Sequence, residues 1–230
     1  MQISVIIPTW NESVRIGPLV EFIFQHGSDL IADVVVVDGS SSDNTAAQAQ
    51  AAGASVIVCP ERSRAIQMNV GANQATADIL YFIHADVQLI TSFATDIVNS
   101  VLEGYTCGCY RYVFDSTNPM LRINGYCTRF DGIMCRGGDQ TLFVTKRAFD
   151  DLEGFDAFFS IMEDYDFIQR LRKKYRFKII PKNVIVSARK YETNSWLRVQ
   201  LANLSVFIMF FHGQHPDKMK KFYKRILRYR

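Results

Sequence analysis

Short β-branched runs alternate with amphipathic helical stretches in the N-terminal part of the chain, and this alternation constrains the fold more than any other feature. The runs are Ile3–Pro8, Val34–Val37, Val56–Val58 and Ile79–Ile83. Runs of this kind are typical of strands buried on both faces, and parallel strands need a crossover helix between them. The pattern therefore predicts an α/β fold with a mostly parallel central sheet flanked by helices.

Beyond residue 104 the pattern becomes irregular. It predicts a strand at 107–114, a helix around 121–130, a strand at 140–145, a charged helix at 164–174 and two helical stretches separated by Pro216. We find no linker or low-complexity tract, and 230 residues suit one α/β domain. We therefore expect a single domain over residues 1–230.

Charge and cysteine content exclude several classes of protein. A net charge of +3 is too small to indicate a nucleic-acid partner. The 5 cysteines lack CxxC spacing and the first residues lack a secretory signal pattern, which favours free thiols and a cytoplasmic location. The apolar stretch Leu201–Phe211 is shorter than the roughly 20 residues of a spanning helix. It predicts a buried or interfacial helix.

Polar residues follow the predicted strands. They are Thr9 to Glu12 after the first strand, Asp38 after the second, and His84, Asp86 and Gln88 after the fourth. Ligands of open parallel sheets bind at the carboxyl ends of the strands. Asp38 suits hydrogen bonding to a base or ribose, although a turn-forming role is the alternative.

His84, Asp86 and Gln88 alternate along the chain. In an extended conformation, residues two apart project to the same side, so the three side chains would converge on one point. That set suits Mg²⁺ or Mn²⁺ with coordination positions left for diphosphate oxygens. A capping aspartate beside an unrelated histidine is the alternative.

Several motifs are missing from the sequence. The chain has no GxGxxG after a strand, no GxxxxGK[ST] loop and no GxSxG elbow. These absences disfavour a dinucleotide-binding Rossmann site, a P-loop and an α/β-hydrolase.

The ordered motifs resemble those of family 2 glycosyltransferases with the GT-A fold. The resemblance rests on the opening 3–12, on 35–45 and on His84-Ala85-Asp86, which stands in the place of the family's Asp-x-Asp. The sequence is most similar to small stand-alone transferases described as radical-SAM/selenodomain-associated. The motifs shared with them are Ser63 to Asn69, His84 to Asp86, Gly138 to Gln140 and Met162 to Asp164.

The resemblance implies a role for each matched residue. The nucleotide-sugar site would contain Pro8, Thr9, Glu12, Asp38, Arg64 and Asp86. The metal would be held by Asp86 with His84 and Gln88, and Asp164 would be the catalytic base. The sugar or acceptor would contact Gly138, Asp139, Gln140 and Glu163. Because His84 replaces the first carboxylate, the identity and affinity of the metal, Mg²⁺ or Mn²⁺, stay open.

The resemblance also divides the expected domain. Residues 1–104 would bind the nucleotide-sugar, 105–195 would hold the acceptor and the catalytic residue, and 196–230 would form C-terminal helices with a basic tail. Asp164 stands in a run of three carboxylates at a predicted helix start, where the helix dipole favours acids, so a structural role is its alternative.

We therefore expect an inverting transferase that moves a sugar from a UDP- or GDP-sugar to a hydroxyl or phosphate acceptor. The sequence leaves open a nucleotidyltransferase of related fold and a non-catalytic nucleotide-sugar-binding protein. The basic C-terminus, with seven Lys or Arg from Lys218 to Arg230, suggests an anionic membrane surface at the inner face of the cytoplasmic membrane, against a plain solvated helix. A homodimer is a further hypothesis.

Overall fold

The computed structural model of the protein describes residues 1–136 and 140–227. These residues form a 7-stranded sheet in the order β3-β2-β1-β4-β6-β5-β7. The strands are β1 (Ile3–Thr9), β2 (Ile31–Asp38), β3 (Ser55–Val58), β4 (Ile79–Phe82), β5 (Cys107–Phe114), β6 (Leu142–Thr145) and β7 (Phe177–Val186).

Helices cover both faces of the sheet. They are α1 (Ser13–Gly27), α2 (Thr45–Ala51), α3 (Arg64–Gln74), α4 (Phe93–Leu102), α5 (Pro119–Cys127), α6 (Lys146–Asp151), α7 (Glu163–Lys174), α8 (Trp196–Phe211) and α9 (Pro216–Ile226). One apolar cluster joins α1, α2 and α4 to the sheet, and a second joins α3, α6 and α7 to its other face. Every residue of β1 is buried, as a strand covered on both sides requires.

The sheet is parallel except at β6. β1 runs parallel to β2 and β4, and β2 runs parallel to β3. β6 is antiparallel to both β4 and β5, so β5 and its parallel neighbour β7 point the same way as β1. The carboxyl ends of β1, β2, β4, β5 and β7 therefore lie along one edge of the sheet. The prediction of a mostly parallel α/β fold is confirmed.

The predicted strands all form, and β5 has the predicted bounds. The predicted strand at 140–145 is shorter, and the helix predicted around 121–130 begins and ends earlier. The sequence analysis missed α4, α6 and β7. β7 was missed because Pro181 and Asn183 interrupt its apolar pattern. They lie where the pairing with β5 shifts register on this edge strand, a position that tolerates proline.

Two connections outside the sheet organise the functional edge. A single antiparallel bridge joins Gln88 to Ile185: the Gln88 amide donates to the Ile185 carbonyl at 2.8 Å, and the Ile185 amide donates back at 3.0 Å. Near the C-terminus, α8 and α9 pack together through Phe207 and Met219. Among the described residues, no helix has the length and apolar character needed to cross a bilayer.

Candidate active site

The loops after β1 and β2 are joined by hydrogen bonds around Asp38. In the sheet register Pro8 lies beside Val37 and Thr9 beside Asp38. Asp38 is buried, and it accepts a hydrogen bond from the Thr9 hydroxyl at 3.2 Å and one from the Ser41 amide at 2.8 Å. Asp38 thus holds the two loops together, whatever ligand it contacts in addition.

Backbone strain concentrates in these loops. Asn11 has φ of 53° and Ser40 has φ of 57°, a left-handed conformation that few non-glycine residues adopt. The Asn11 side chain compensates, because its Oδ1 accepts a hydrogen bond from the Ser42 amide at 2.9 Å. Such strained residues cluster at ligand sites, where the surrounding structure holds them in place.

Asp43 accepts hydrogen bonds from backbone amides at the starts of two helices. α2 begins at Thr45, and Asp43 accepts a hydrogen bond from the Thr45 amide at 3.0 Å, although it stands one residue before the capping position. It also accepts from the Ser13 amide at 3.3 Å. These hydrogen bonds hold the pKa of Asp43 below its usual range, the Thr45 hydroxyl contributing most. Asp43 therefore fixes the starts of α1 and α2 together.

Glu12 and Asp86 share one cationic partner, Arg189. The Arg189 Nη2 atom lies 2.9 Å from Glu12 Oε1 and 3.2 Å from Asp86 Oδ2. Because both oxygens contact the same nitrogen, they are no more than about 6 Å apart. The hydrogen bond to Glu12 raises the pKa of Arg189. The chain itself therefore supplies a positive charge, that of Arg189, between these two carboxylates.

The extended conformation predicted for His84 to Gln88 is wrong. Ala85 and Asp86 form a turn, in which the Val87 amide donates to the His84 carbonyl at 3.3 Å. Successive side chains in a turn do not keep the two-residue alternation of a strand. The geometric argument that brought His84, Asp86 and Gln88 to one point therefore fails. Gln88 is exposed, and its backbone pairs with Ile185.

Arg64 and Glu163 link residues 1–104, predicted to bind the nucleotide-sugar, to residues 105–195, predicted to hold the acceptor. The Arg64 Nε atom lies 3.2 Å from Glu163 Oε1, with the arginine half exposed and the glutamate buried. Burial raises the pKa of Glu163, although the charge of Arg64 acts in the opposite direction. Asp164 raises that pKa further and His84 lowers it, so all four side chains influence one region.

Asp164 lines a small cleft together with His84 and Gln140, and Met68 and Phe155 are among its apolar walls. Gln140 is buried, and its Nε2 atom has no hydrogen-bond partner among the described residues. A buried amide donor without a partner is costly, which favours a polar ligand atom at this point. The predicted neighbours Gly138 and Asp139 lie outside the described residues.

The start of α7 explains the placement of Glu163 and Asp164. Met162, immediately before the helix, has φ of 70°, and its side chain packs with Phe207 and Met219 of the C-terminal helices. The two successive carboxylates then face different surroundings: Glu163 is buried and Asp164 is half-buried at the cleft.

The sequence analysis missed Arg189 and Arg136. Arg136 is buried and donates hydrogen bonds to the Thr128 carbonyl, at 2.9 Å, and to the Phe130 carbonyl. These hydrogen bonds tie Arg136 to the turn that follows α5. No local sequence motif marks either arginine. Arg189, for example, contacts Glu12 and Asp86 only because the fold brings distant parts of the chain together.

The donor set fits a divalent cation that shares its coordination with a ligand. No group of three His, Cys, Asp or Glu side chains able to hold a metal occurs in the parts of the chain that the structure describes. Two carboxylates already hold a positive charge, however, and Mg²⁺-type ions are often bound by one or two carboxylates together with phosphate oxygens. The residues therefore fit a cation bound together with a diphosphate, and do not form a complete cage.

The sheet, its polar edge and the cleft at the start of α7 define a GT-A-type glycosyltransferase. Residues 4–178 match the family described as glycosyl transferase family 2. The chain belongs to this family. Membership of this family favours glycosyl transfer over the nucleotidyltransferase reaction that the sequence left open. The narrower likeness to the radical-SAM-associated group stays a prediction.

Solved structures share the fold at low sequence identity. A mannosyltransferase from Pyrobaculum calidifontis, in complex with GDP-Man and Mn²⁺, has TM-score 0.69 and 17% identity over 96% of this chain and 68% of its own. Glucosyl-3-phosphoglycerate synthase from Mycobacterium tuberculosis, with Mn²⁺, UDP and glucosyl-3-phosphoglycerate, has TM-score 0.59 and 18% identity over 80% and 70%. S. aureus TarS 1-349 has TM-score 0.66 and 16% identity over 88% and 64%. The chain thus spans about two thirds of their length.

Proposed function

We propose that this glycosyltransferase moves a sugar from a UDP- or GDP-linked donor to a hydroxyl or phosphate acceptor, with inversion at the anomeric carbon. One observation carries the proposal. His84, two residues before Asp86, lines the same cleft as Asp164. A leaving group bound at Asp86 and an acceptor deprotonated by Asp164 would therefore lie on neighbouring parts of one cleft.

The donor would bind along the loops after β1, β2 and β4. Thr9 and Asp38 lie side by side at this edge, where a base or ribose can hydrogen-bond to them. Glu12 and Asp86 would face the diphosphate, and Arg64 would approach it from the first turn of α3. The Pyrobaculum and Mycobacterium relatives, which hold GDP-Man or UDP with Mn²⁺, support a nucleotide-sugar and a divalent cation, Mn²⁺ or Mg²⁺.

In the proposed reaction the Asp164 carboxylate takes the proton from the acceptor hydroxyl while the acceptor oxygen forms its bond to the anomeric carbon. The bond from that carbon to the diphosphate oxygen breaks, and the electron pair leaves with the nucleoside diphosphate. A bound divalent cation would neutralise the charge that builds on the departing diphosphate. A phosphate acceptor is already ionised, so its attack would depend less on proton removal by Asp164.

Glu163 and Gln140 would position the substrates. Glu163 is buried and held by Arg64, so it is poorly placed to take up and release a proton during turnover. Its pair with Arg64 instead fixes the start of α7, and with it Asp164. The Gln140 amide would donate to a sugar or acceptor oxygen, which would satisfy the buried donor.

The proposal is tested by Asp164→Asn. We expect transfer to fall by about 10²- to 10⁴-fold, the usual contribution of a general base. Binding of UDP or GDP with Mn²⁺ should be nearly unchanged. The matched control is Asp166→Asn, in the same turn of α7, because Asp166 pairs with Arg170 instead of lining the cleft. Full activity of Asp164→Asn would remove Asp164 as the base.

Two product analyses test the reaction type. Release of a nucleoside diphosphate from the donor supports glycosyl transfer, whereas release of pyrophosphate would indicate a nucleotidyltransferase. An NMR spectrum of the product should show the anomeric configuration opposite to that of the donor. Retained configuration would refute inversion. Donor binding without any hydrolysis, with either Mn²⁺ or Mg²⁺, would favour a non-catalytic binding protein.

A further inference from the structure

Helix α8 exposes a continuous line of large apolar side chains. Leu197, Leu201, Leu204, Ile208 and Phe211 are each between 46% and 60% exposed. Their spacing of four and three residues places them along one side of the helix. The opposite side, which includes Val199, Ala202 and Val206, is buried against the rest of the protein. The exposed line is therefore not needed for the core that the structure describes.

Helix α9 adds a basic surface to this apolar line. Its inner side chains, among them Met219, are buried against α8, while Lys218, Lys221, Lys224 and Arg225 are exposed. Asp217 is the only acid from Trp196 to the end of the chain. Arg228 and Arg230, part of the predicted basic tail, lie outside the described residues. The two packed helices thus expose a line of apolar side chains on α8 and a group of cations on α9.

The surface extends toward helix α5. The Trp196 Nε1 atom donates a hydrogen bond to Asn124 Oδ1 at 3.2 Å, which joins the start of α8 to α5. α5 carries its own exposed apolar residues at Met120, Ile123 and Tyr126. Large apolar side chains exposed on neighbouring helices mark an interaction surface, since isolated proteins seldom expose them in groups.

The α8–α9 hairpin also contacts the segment around the start of α7. The rings of Tyr165 and Phe207 lie 4.6 Å apart between centroids, and Tyr165 follows Asp164 directly. The Ser160 hydroxyl donates to Asp217 Oδ1 at 3.2 Å. The surface is thus attached to the segment that carries the proposed catalytic residue.

We infer that the outer face of α8 and the basic side of α9 dock on an anionic lipid bilayer. α8 would lie in the plane of the interface with its exposed line among the acyl chains, and the α9 cations would meet lipid phosphates. A second copy of the chain fits less well, because the same face of a partner copy offers Asp217 as its only acid from residue 196 onward to meet these cations. This inference goes beyond the proposed reaction and does not depend on it.

Vesicle flotation with phosphatidylglycerol and phosphatidylcholine tests the docking. The full chain should bind mixed vesicles and bind pure phosphatidylcholine much less. Leu201→Gln/Leu204→Gln/Ile208→Gln should lower the partition coefficient at least about ten-fold, because these side chains supply the buried apolar area. The matched control is Val14→Gln/Val58→Gln/Leu102→Gln, three exposed apolar residues elsewhere, which should not change it.

The electrostatic part has its own variant. Lys221→Gln/Lys224→Gln/Arg225→Gln should lower binding by about 100-fold, at roughly five-fold for each cation removed. Arg147→Gln/Lys173→Gln/Arg176→Gln removes the same charge from other exposed positions and should have a much smaller effect. All variants carry exposed substitutions, so each should keep the wild-type unfolding temperature.

Two results would overturn the inference. One is equal binding to neutral and anionic vesicles, or no binding. The other is a dimer in sedimentation velocity that the α8 variant dissociates while vesicle binding is unchanged, which would assign the face to a second copy. Hydrolysis of the donor in vesicle-free buffer reports separately on the proposed reaction, so the two proposals can fail independently.

Discussion

Replacing Arg189 with glutamine tests how a cation reaches the proposed diphosphate site. The guanidinium contacts both Glu12 and Asp86, at 2.9 and 3.2 Å. A divalent cation that binds Asp86 must compete with this positive charge. The variant keeps a polar, shorter side chain but removes the charge, so we expect nucleotide-free Mn²⁺ to bind more tightly than it does to the wild type.

The size of the effect follows from the two ion pairs. The Arg189 side chain is 47% exposed, so solvent screens both interactions. Partly exposed pairs contribute about 0.2–1 kcal/mol each, and we therefore expect a gain of about 1 kcal/mol in Mn²⁺ binding, about five-fold in Kd. The gain should shrink as salt is added, because screening weakens the competing pairs.

Isothermal titration or Mn²⁺ electron paramagnetic resonance at fixed ionic strength measures this affinity. Arg176→Gln is the matched control, since Arg176 precedes β7 and lies at the opposite edge of the sheet. Unchanged or weaker Mn²⁺ binding by Arg189→Gln would refute the competition. An equal gain in Arg176→Gln would show that only the overall charge matters.

Three further predictions concern the buried groups. Arg64→Gln should lower the free energy of unfolding in urea by on the order of 1 kcal/mol, because it removes the cation that pairs with the buried Glu163 carboxylate, although solvent already screens the half-exposed arginine. Glu163 has a raised pKa, so the folded protein binds more protons at this residue than the unfolded chain does. The free energy of unfolding of the wild type should therefore fall, relative to that of Glu163→Gln, as the pH rises above the ordinary Glu pKa of 4.5. The same pH dependence in both proteins would contradict this. Burial raises the pKa of Cys107 to about 12 and of Cys109 to about 11, so iodoacetamide at pH 8 should modify half-buried Cys127 first, as peptide mass spectrometry would show.

The sequence predicted the parts of the fold that local patterns encode. The continuous β-branched runs predicted β1 to β4, and the polar residues that follow them predicted a ligand site at the carboxyl edge of the sheet, because burial and polarity both follow from short segments. β7 escaped prediction because Pro181 and Asn183 occupy an irregular position that only its pairing with β5 explains.

The site was predicted less completely than the fold. Asp164 and Gln140 do lie at one cleft, but the reasoning for His84, Asp86 and Gln88 assumed an extended chain where the protein turns. Arg189 is separated from Glu12 by most of the chain, and its contact depends on long-range topology. Contacts of this kind carry no spacing pattern in the sequence.

The bridge between Gln88 and Ile185 has a consequence for how the site can open. Two backbone hydrogen bonds fasten the segment that carries Asp86 to the strand that ends just before Arg189. Any retreat of the arginine must then come from rotation of its own side chain and of the short stretch 187–188. A cation would therefore enter after movement of the Arg189 side chain and the short stretch before it. This movement would take place on the time scale of side-chain and loop motion. It would need no separation of the two halves of the enzyme.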